Sequence, residues 1–281
     1  MAYAPTLTVF TDYNPSPRVL VTFPTVAATT ATIDVSKVVE GRSFPVRGGI
    51  GLYAVGGAYV MDSEPALGVP NTYRAEMFTA AGVSLGFTDA AVATITLTDV
   101  LRDTSEMVIS QPLKPSLAIR ASMGGDTAGQ VVRSIPAEVV FPEGATVGVG
   151  IGGQLRGIVD MPLEVVCETT ADADELISMF GGYTSSFPPV LCIRTGAPVR
   201  LPRLLFASCS EIVETTIYAA DVRVRFQLKV TEVAPPAPGL VLPSLRRMDI
   251  DAAFATRAAR AAAYASRLAR DTDYTKAGLA G

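Results

Sequence analysis

The chain has 281 residues and a formal net charge of −4, with 49% hydrophobic and only 18% charged residues, material for two domains or one large one. It contains no histidine and no tryptophan. The first absence removes Ser-His-Asp and Cys-His nucleophile systems, histidine metal sites and histidine pH switches, and the low charge points to apolar surface covered by partner subunits.

Residues 1–98 alternate short β-prone runs with turns. Strands are expected at 7–10, 18–23, 31–35, 44–47, 58–62, 72–79 and 93–97. About seven strands at this spacing predict an N-terminal β-sandwich of the immunoglobulin or fibronectin kind. One run ends in Val46-Arg47-Gly48-Gly49. Another ends in Asp62-Ser-Glu64-Pro-Ala-Leu-Gly68-Val-Pro and enters Thr72-Tyr73-Arg74-Ala75. Asp62 and Glu64 lie on the same side of that turn. The expected role is a solvated turn with a structural hydrogen bond, in preference to a Ca²⁺ site.

Residues 99–233 read as a second β-rich domain with one short helix. Strands are expected at 117–122, 131–134, 138–141, 156–169, 190–194 and 203–208, and a helix at 172–180 stopped by Gly181-Gly182. Thr170 or Asp172 is its expected cap, and Asp172, Asp174 and Glu175 are read as helix-start acids, not a cation site. Gly148-Val-Gly150-Ile-Gly-Gly153 fits G-x-G-x-x-G, but strand-like sequence follows it where a nucleotide fold needs a helix. It is read as a hairpin tip or an oligomer-contact loop. Val222-Arg-Val-Arg-Phe-Gln-Leu-Lys-Val230 alternates strictly, predicting a half-buried antiparallel strand with Val222, Val224, Phe226, Leu228 and Val230 inward.

Residues 234–245 form a stiff Pro-rich connector, and residues 246–281 a C-terminal helical segment. One α-helix is expected from about 251 to 270. Phe254, Ala258, Ala261, Ala265 and Leu268 then make a narrow, mainly alanine stripe, and Arg257, Arg260, Arg267 and Arg270 a loose basic face. These nine residues are the candidate oligomer or partner contacts; a solvated face is the competing reading of the arginines. From Arg246 onward seven basic residues stand against four acids, a local +3, which leaves −7 on the remainder. A basic end on an acidic body favours head-to-tail self-association.

No catalytic set, cofactor motif or metal triad emerges. Cys167, Cys192 and Cys209 are odd in number and lack Cys-x-x-Cys spacing, so buried free thiols and folding in a reducing cytoplasm are expected. The longest apolar run, about 48–61, is too short to span a bilayer, and the N-terminal residues lack a signal-peptide pattern. The acidic chain, with little aromatic interleaving, gives no expectation of nucleic acid.

The order of motifs resembles the minor tail or distal tail (baseplate) proteins of siphophages that infect actinobacteria. In that family a Val-Arg-Gly-Gly turn and a D-x-E-P-x-G turn precede a Tyr-Arg-Ala strand. A helix then leads to a strand like Val190-Leu-Cys-Ile-Arg194, and a long strand exits through Thr231-Glu232-Val233-Ala-Pro-Pro236 into a terminal helical segment. The chain departs from the family in lacking tryptophan near its C-terminus. The resemblance implies a non-enzymatic virion protein in the tail, assembled in the host cytoplasm. It implies a threefold or sixfold homo-oligomeric ring or collar at the distal end of the tail tube, meeting the tail tube, tape-measure protein, hub and fibres. A carbohydrate-binding or adhesion module and a carboxylate-only hydrolase are the alternatives from other classes.

Overall fold

The structure is a computed structural model describing residues 3–12, 16–181, 187–196, 198–216, 222–237, 245, 247–271, 273 and 276. The first unit begins with β1 (Thr6–Phe10), β2 (Arg18–Phe23), β3 (Thr32–Val39), β4 (Arg42–Pro45) and β5 (Leu52–Tyr53). It continues through β6 (Ala58–Asp62), β7 (Pro70–Phe78), β8 (Ser84–Phe87) and β9 (Ala91–Thr94). Strands β1, β2 and β6 form one antiparallel sheet; β4, β3, β7 and β8 form another, with β5 on β3 and β9 on β7. Side chains two apart share a strand face. Ile33 and Val35 of β3 and Tyr73, Ala75 and Met77 of β7 therefore meet Val19, Val21 and Phe23 of β2 and Val60 of β6 in one core between two β layers.

The second unit follows through α1 (Leu97–Val100), β10 (Glu106–Gln111), β11 (Lys114–Met123), β12 (Val132–Arg133), β13 (Ala137–Val140) and β14 (Val149–Gly152). Then come β15 (Ile158–Val159), β16 (Met161–Cys167), α2 (Thr170–Ser178), β17 (Val190–Thr195), β18 (Leu204–Thr216) and β19 (Val224–Glu232). Six of these strands close into a barrel in the order β10-β11-β16-β19-β18-β17. Its interior holds Met107, Ile109, Ile119, Val165, Ile193, Leu205, Phe226 and Leu228. Each such side chain contributes about 1.5–3 kcal/mol by leaving water. The helix α2 adds Leu176 to this core, and the Glu175 Oε1 accepts a hydrogen bond from the Ala118 N–H of β11 at 3.0 Å.

Three sequence expectations need correction. The cap of α2 is Thr169, whose side chain accepts from the Asp172 N–H at 3.1 Å, not Thr170 or Asp172. Val222 lies outside β19 and is exposed; the inward set is Val224, Phe226, Leu228 and Val230. The long C-terminal helix is three short ones, α3 (Arg247–Ala253), α4 (Arg257–Ala263) and α5 (Arg267–Asp271). Thr256 is extended, at φ −142° and ψ 156°, and its side chain accepts from the Ala259 N–H at 3.1 Å. Ser266 accepts from the Ala269 N–H at 3.1 Å in the same way. Each hydroxyl restarts a helix instead of letting one continue. Gly182, Arg246 and residues 238–244 of the expected connector lie outside the described residues.

The two β units share a third apolar cluster, in which Val39, Phe44 and Ala66 meet Cys192, Leu204 and Phe206. Phe44 and Phe206 meet at 6.1 Å between ring centroids, tilted by 49°. Polar ties flank them: Arg42 Nη2 to Glu232 Oε1 at 2.8 Å, and the Arg203 N–H to Glu40 Oε2 at 2.9 Å. Phe206→Ala is expected to cost about 3–5 kcal/mol, the range for deleting a buried aromatic ring. Urea unfolding followed by circular dichroism measures it, and a loss below 1 kcal/mol, about the size of an ordinary surface change, excludes Phe206 as a structural wedge.

Candidate functional site

The acidic turn after β6 is not solvated. Asp62 and Glu64 are both buried, and the protein supplies their cations. The Lys37 ammonium, on the inward face of β3, donates to Asp62 Oδ1 and Oδ2 at 2.9 and 2.8 Å and to the Glu64 carbonyl. The Tyr73 hydroxyl donates to Asp62 Oδ2 at 2.7 Å. Arg47 donates from Nε to Glu64 Oε1 at 2.9 Å, and from Nη1 to the carbonyls of Pro236 and Ala237 at 3.2 and 3.0 Å. Burial pushes the Glu64 carboxyl up, against the pull of Arg47 and then Lys37, and burial followed by Asp62 lifts the Tyr73 hydroxyl. Asn71 stitches the turn internally: its Oδ1 accepts from the Ala66 N–H at 2.8 Å and its Nδ2 donates to the Ala66 carbonyl at 3.0 Å. Arg194 of β17 reaches in from the barrel and donates to the Pro17 carbonyl at 2.7 Å. A carboxylate pair so occupied is an organising joint between the units, with no open face for a divalent cation.

The remaining chemistry-bearing groups are dispersed. Cys167, Cys192 and Cys209 are buried and free, and burial drives the Cys167 and Cys192 thiols up to about 12. At the start of α2 Asp172 is half-buried and Asp174 exposed, while Glu175 turns to β11. Among the described residues no group of three or more Cys, Asp or Glu is placed to hold a metal ion, and no helix is long and apolar enough to cross a membrane.

Two surfaces stand out instead. The first is the hairpin of β13 and β14, inserted between barrel strands β11 and β16. Ala137 pairs with Gly152, Val139 with Gly150 and Val140 with Val149. Every residue of both strands is exposed, and Phe141 and Val147 beyond them are 64% and 78% exposed. Most of the G-x-G-x-x-G run, Val149–Gly152, is a strand of this hairpin and not its tip. Alternation puts Gly148, Gly150 and Gly152 on a single face. The side chains of Val139 and Phe141 lie over Gly148, whereas the space above Gly150 is open. The result is an apolar ridge beside a bare, flat strip. Residues 134–155 hold two charges, Glu138 and Glu143. A contiguous apolar surface with open strand edges is what monomeric proteins avoid.

The second surface is the C-terminal segment that carries the sequence-predicted contacts. Ala258, Ala261 and Ala265 are exposed and, with three helices in place of one, do not line up as a docking stripe. Phe254 packs edge-on against Tyr264, 5.6 Å between centroids at 74°. Leu268 is half-buried. Arg260, Arg267 and Arg270 come together with Arg247 around one cavity, while Arg257 lines a neighbouring one beside Phe254. The signal in the sequence is a ten-residue repeat: Phe254-Ala-Thr-Arg257-Ala-Ala-Arg260 recurs as Tyr264-Ala-Ser-Arg267-Leu-Ala-Arg270. It returns a helix cap, and the same arginines, every ten residues.

No family model, curated protein or solved structure matches the chain.

Lys37→Met is expected to cost about 3–5 kcal/mol by leaving Asp62 buried without its cation, and Lys37→Met with Asp62→Leu to recover most of that loss. Urea titrations of both variants check the pair; a double variant as unstable as the single one would place the energy in packing. Native protein is expected to leave its three cysteines unmodified by a thiol reagent at neutral pH and to expose all three on unfolding.

Proposed function

We propose that this protein is a structural, non-enzymatic component of a long-tailed phage, at the tail tip or baseplate. In this reading it forms a ring or collar at the distal end of the tail tube and contacts the other proteins of the tail. The ordered motifs from Val46-Arg47-Gly48-Gly49 to Thr231-Glu232-Val233 support the family reading. The observation that carries assembly is the exposed apolar hairpin on a closed barrel. A closed barrel has no free edge of its own to pair. The hairpin of β13 and β14 keeps two free edges and an apolar face, so it is the natural arm for grasping a neighbour.

An arm that grips a different surface on the next copy makes a heterologous contact. Such contacts close into a ring when the rotation between copies divides a full turn, which accommodates threefold and sixfold assemblies. Assembly in the host cytoplasm and residence in the virion tail follow from this role, as does an absence of turnover on any substrate.

Replacing Phe141 and Val147 together by Glu is expected to convert rings to monomers with little change in thermal unfolding, because both side chains stand in solvent. Size-exclusion chromatography with light scattering and negative-stain imaging provide the readout. A wild-type chain that stays monomeric at every concentration and fails to bind purified tail tubes overturns the assignment.

A further inference from the structure

The cavity between α3, α4 and α5 has a volume of about 320 Å³ and is lined by Leu245, Arg247, Ile250, Arg260, Arg267, Arg270 and Asp271. Four guanidinium groups from three successive helices face one space. Their charge is partly answered from within. Arg260 pairs with Asp251, Arg247 lies 3.7 Å from the same carboxylate, and Arg270 Nε donates to Asp271 Oδ1 at 2.7 Å. Asp251 and Asp271 answer part of that charge, and Asp249 and Asp273 stand on the same segment. The Arg267 side chain makes no hydrogen bond or ion pair among the described residues, and it is exposed at the start of α5.

We propose that this cavity is a phosphate site, taking a phosphate group from solution or from a polymer. Arginine presents planar, forked donors that match phosphate oxygens in pairs, and several converging on one space give a geometry that a single lysine lacks. Leu245 and Ile250 supply an apolar floor that lowers the local dielectric and strengthens each contact. The ten-residue repeat explains how the site is built. Thr256 and Ser266 end one helix and begin the next, so Arg260 and Arg270 occupy equivalent places in consecutive repeats. The site does not rest on ring formation, since every lining residue belongs to one copy.

The test titrates the full chain at low ionic strength, where exposed charges are least screened. Inorganic phosphate is followed by calorimetry, and a short single-stranded oligonucleotide by fluorescence anisotropy. Arg267→Ala is expected to weaken binding about tenfold or more, the size of one charge-assisted hydrogen bond. Arg257→Ala, in the neighbouring cavity, is expected to leave it unchanged. Arg270→Gln serves as a second probe, and circular dichroism checks that all three variants fold. Phosphate binding with this variant pattern supports a site for the free ion. Oligonucleotide binding with the same pattern and no response to inorganic phosphate supports a polymer as the source. Failure of both probes to bind the wild-type chain, or binding that survives Arg267→Ala and Arg270→Gln alike, overturns the proposal.

Discussion

A buried ammonium on a buried carboxylate, Lys37 on Asp62, is the constraint around which the two β units are arranged. Taking both charges out of water is expensive, and such pairs often contribute less net stability than well-packed apolar residues of the same volume. Their effect here is positional. Asp62 also accepts from Tyr73 and from the Glu64 N–H at 3.0 Å, so β6, β3 and β7 are fixed to one another at this point. The turn that follows is thereby folded inward. Its Ala66 joins the apolar cluster with Cys192, Leu204 and Phe206, and its Glu64 holds Arg47 over the carbonyls of Pro236 and Ala237. The first unit, the barrel and the strand by which the chain leaves the barrel all meet at this one turn.

With the joint rigid, the barrel is free to carry an arm. Ring closure satisfies the ladder of each of its six strands, leaving the insertion between β11 and β16 to project. The chain spends little polar surface there. Its glycines, on one face of β14, remove side chains where a flat partner would have to approach, and Val139 and Phe141 provide the relief beside them. An apolar ridge next to a glycine strip is complementary to a surface of its own kind or to another strand.

Much of this was legible in the sequence where one face of an element meets water. β19 alternates because its outer face is solvated, with Arg225 reaching Glu164 at 2.9 Å and Lys229 near Asp160. β10 escaped notice for the opposite reason: all six of its residues are buried. Met107 and Ile109 fill the barrel while Val108 packs into the core of the first unit, so neither face meets water, and its polar residues Glu106, Ser110 and Gln111 are buried with the rest. The joint did leave a trace. Lys37 falls in phase with Ile33, Val35 and Val39, and Asp62 in phase with Val60, so each charge sits where the alternation demands an apolar residue. A lysine and an aspartate out of place on two strands of one sandwich are candidates for each other. In the terminal segment alanine and arginine favour helix so uniformly that the sequence predicts one continuous helix. Thr256 and Ser266 override that preference with local hydrogen bonds.

The two exposed surfaces obey different physics, and this bears on how the molecule responds to its surroundings. The hairpin has two acids in 134–155 and no base, so association through it is driven by apolar burial. Salt has little to screen there, and strongly excluded salts strengthen such burial. The arginine cavity works through charge at the surface, where a Debye length of about 8 Å at physiological ionic strength already weakens long-range attraction. In the proposed reading the hairpin contact persists over a wide range of ionic strength, while occupancy of the cavity falls as salt rises. The residues that form one surface are absent from the other, so the proposed neighbour contact and the proposed anion site are separable by substitution.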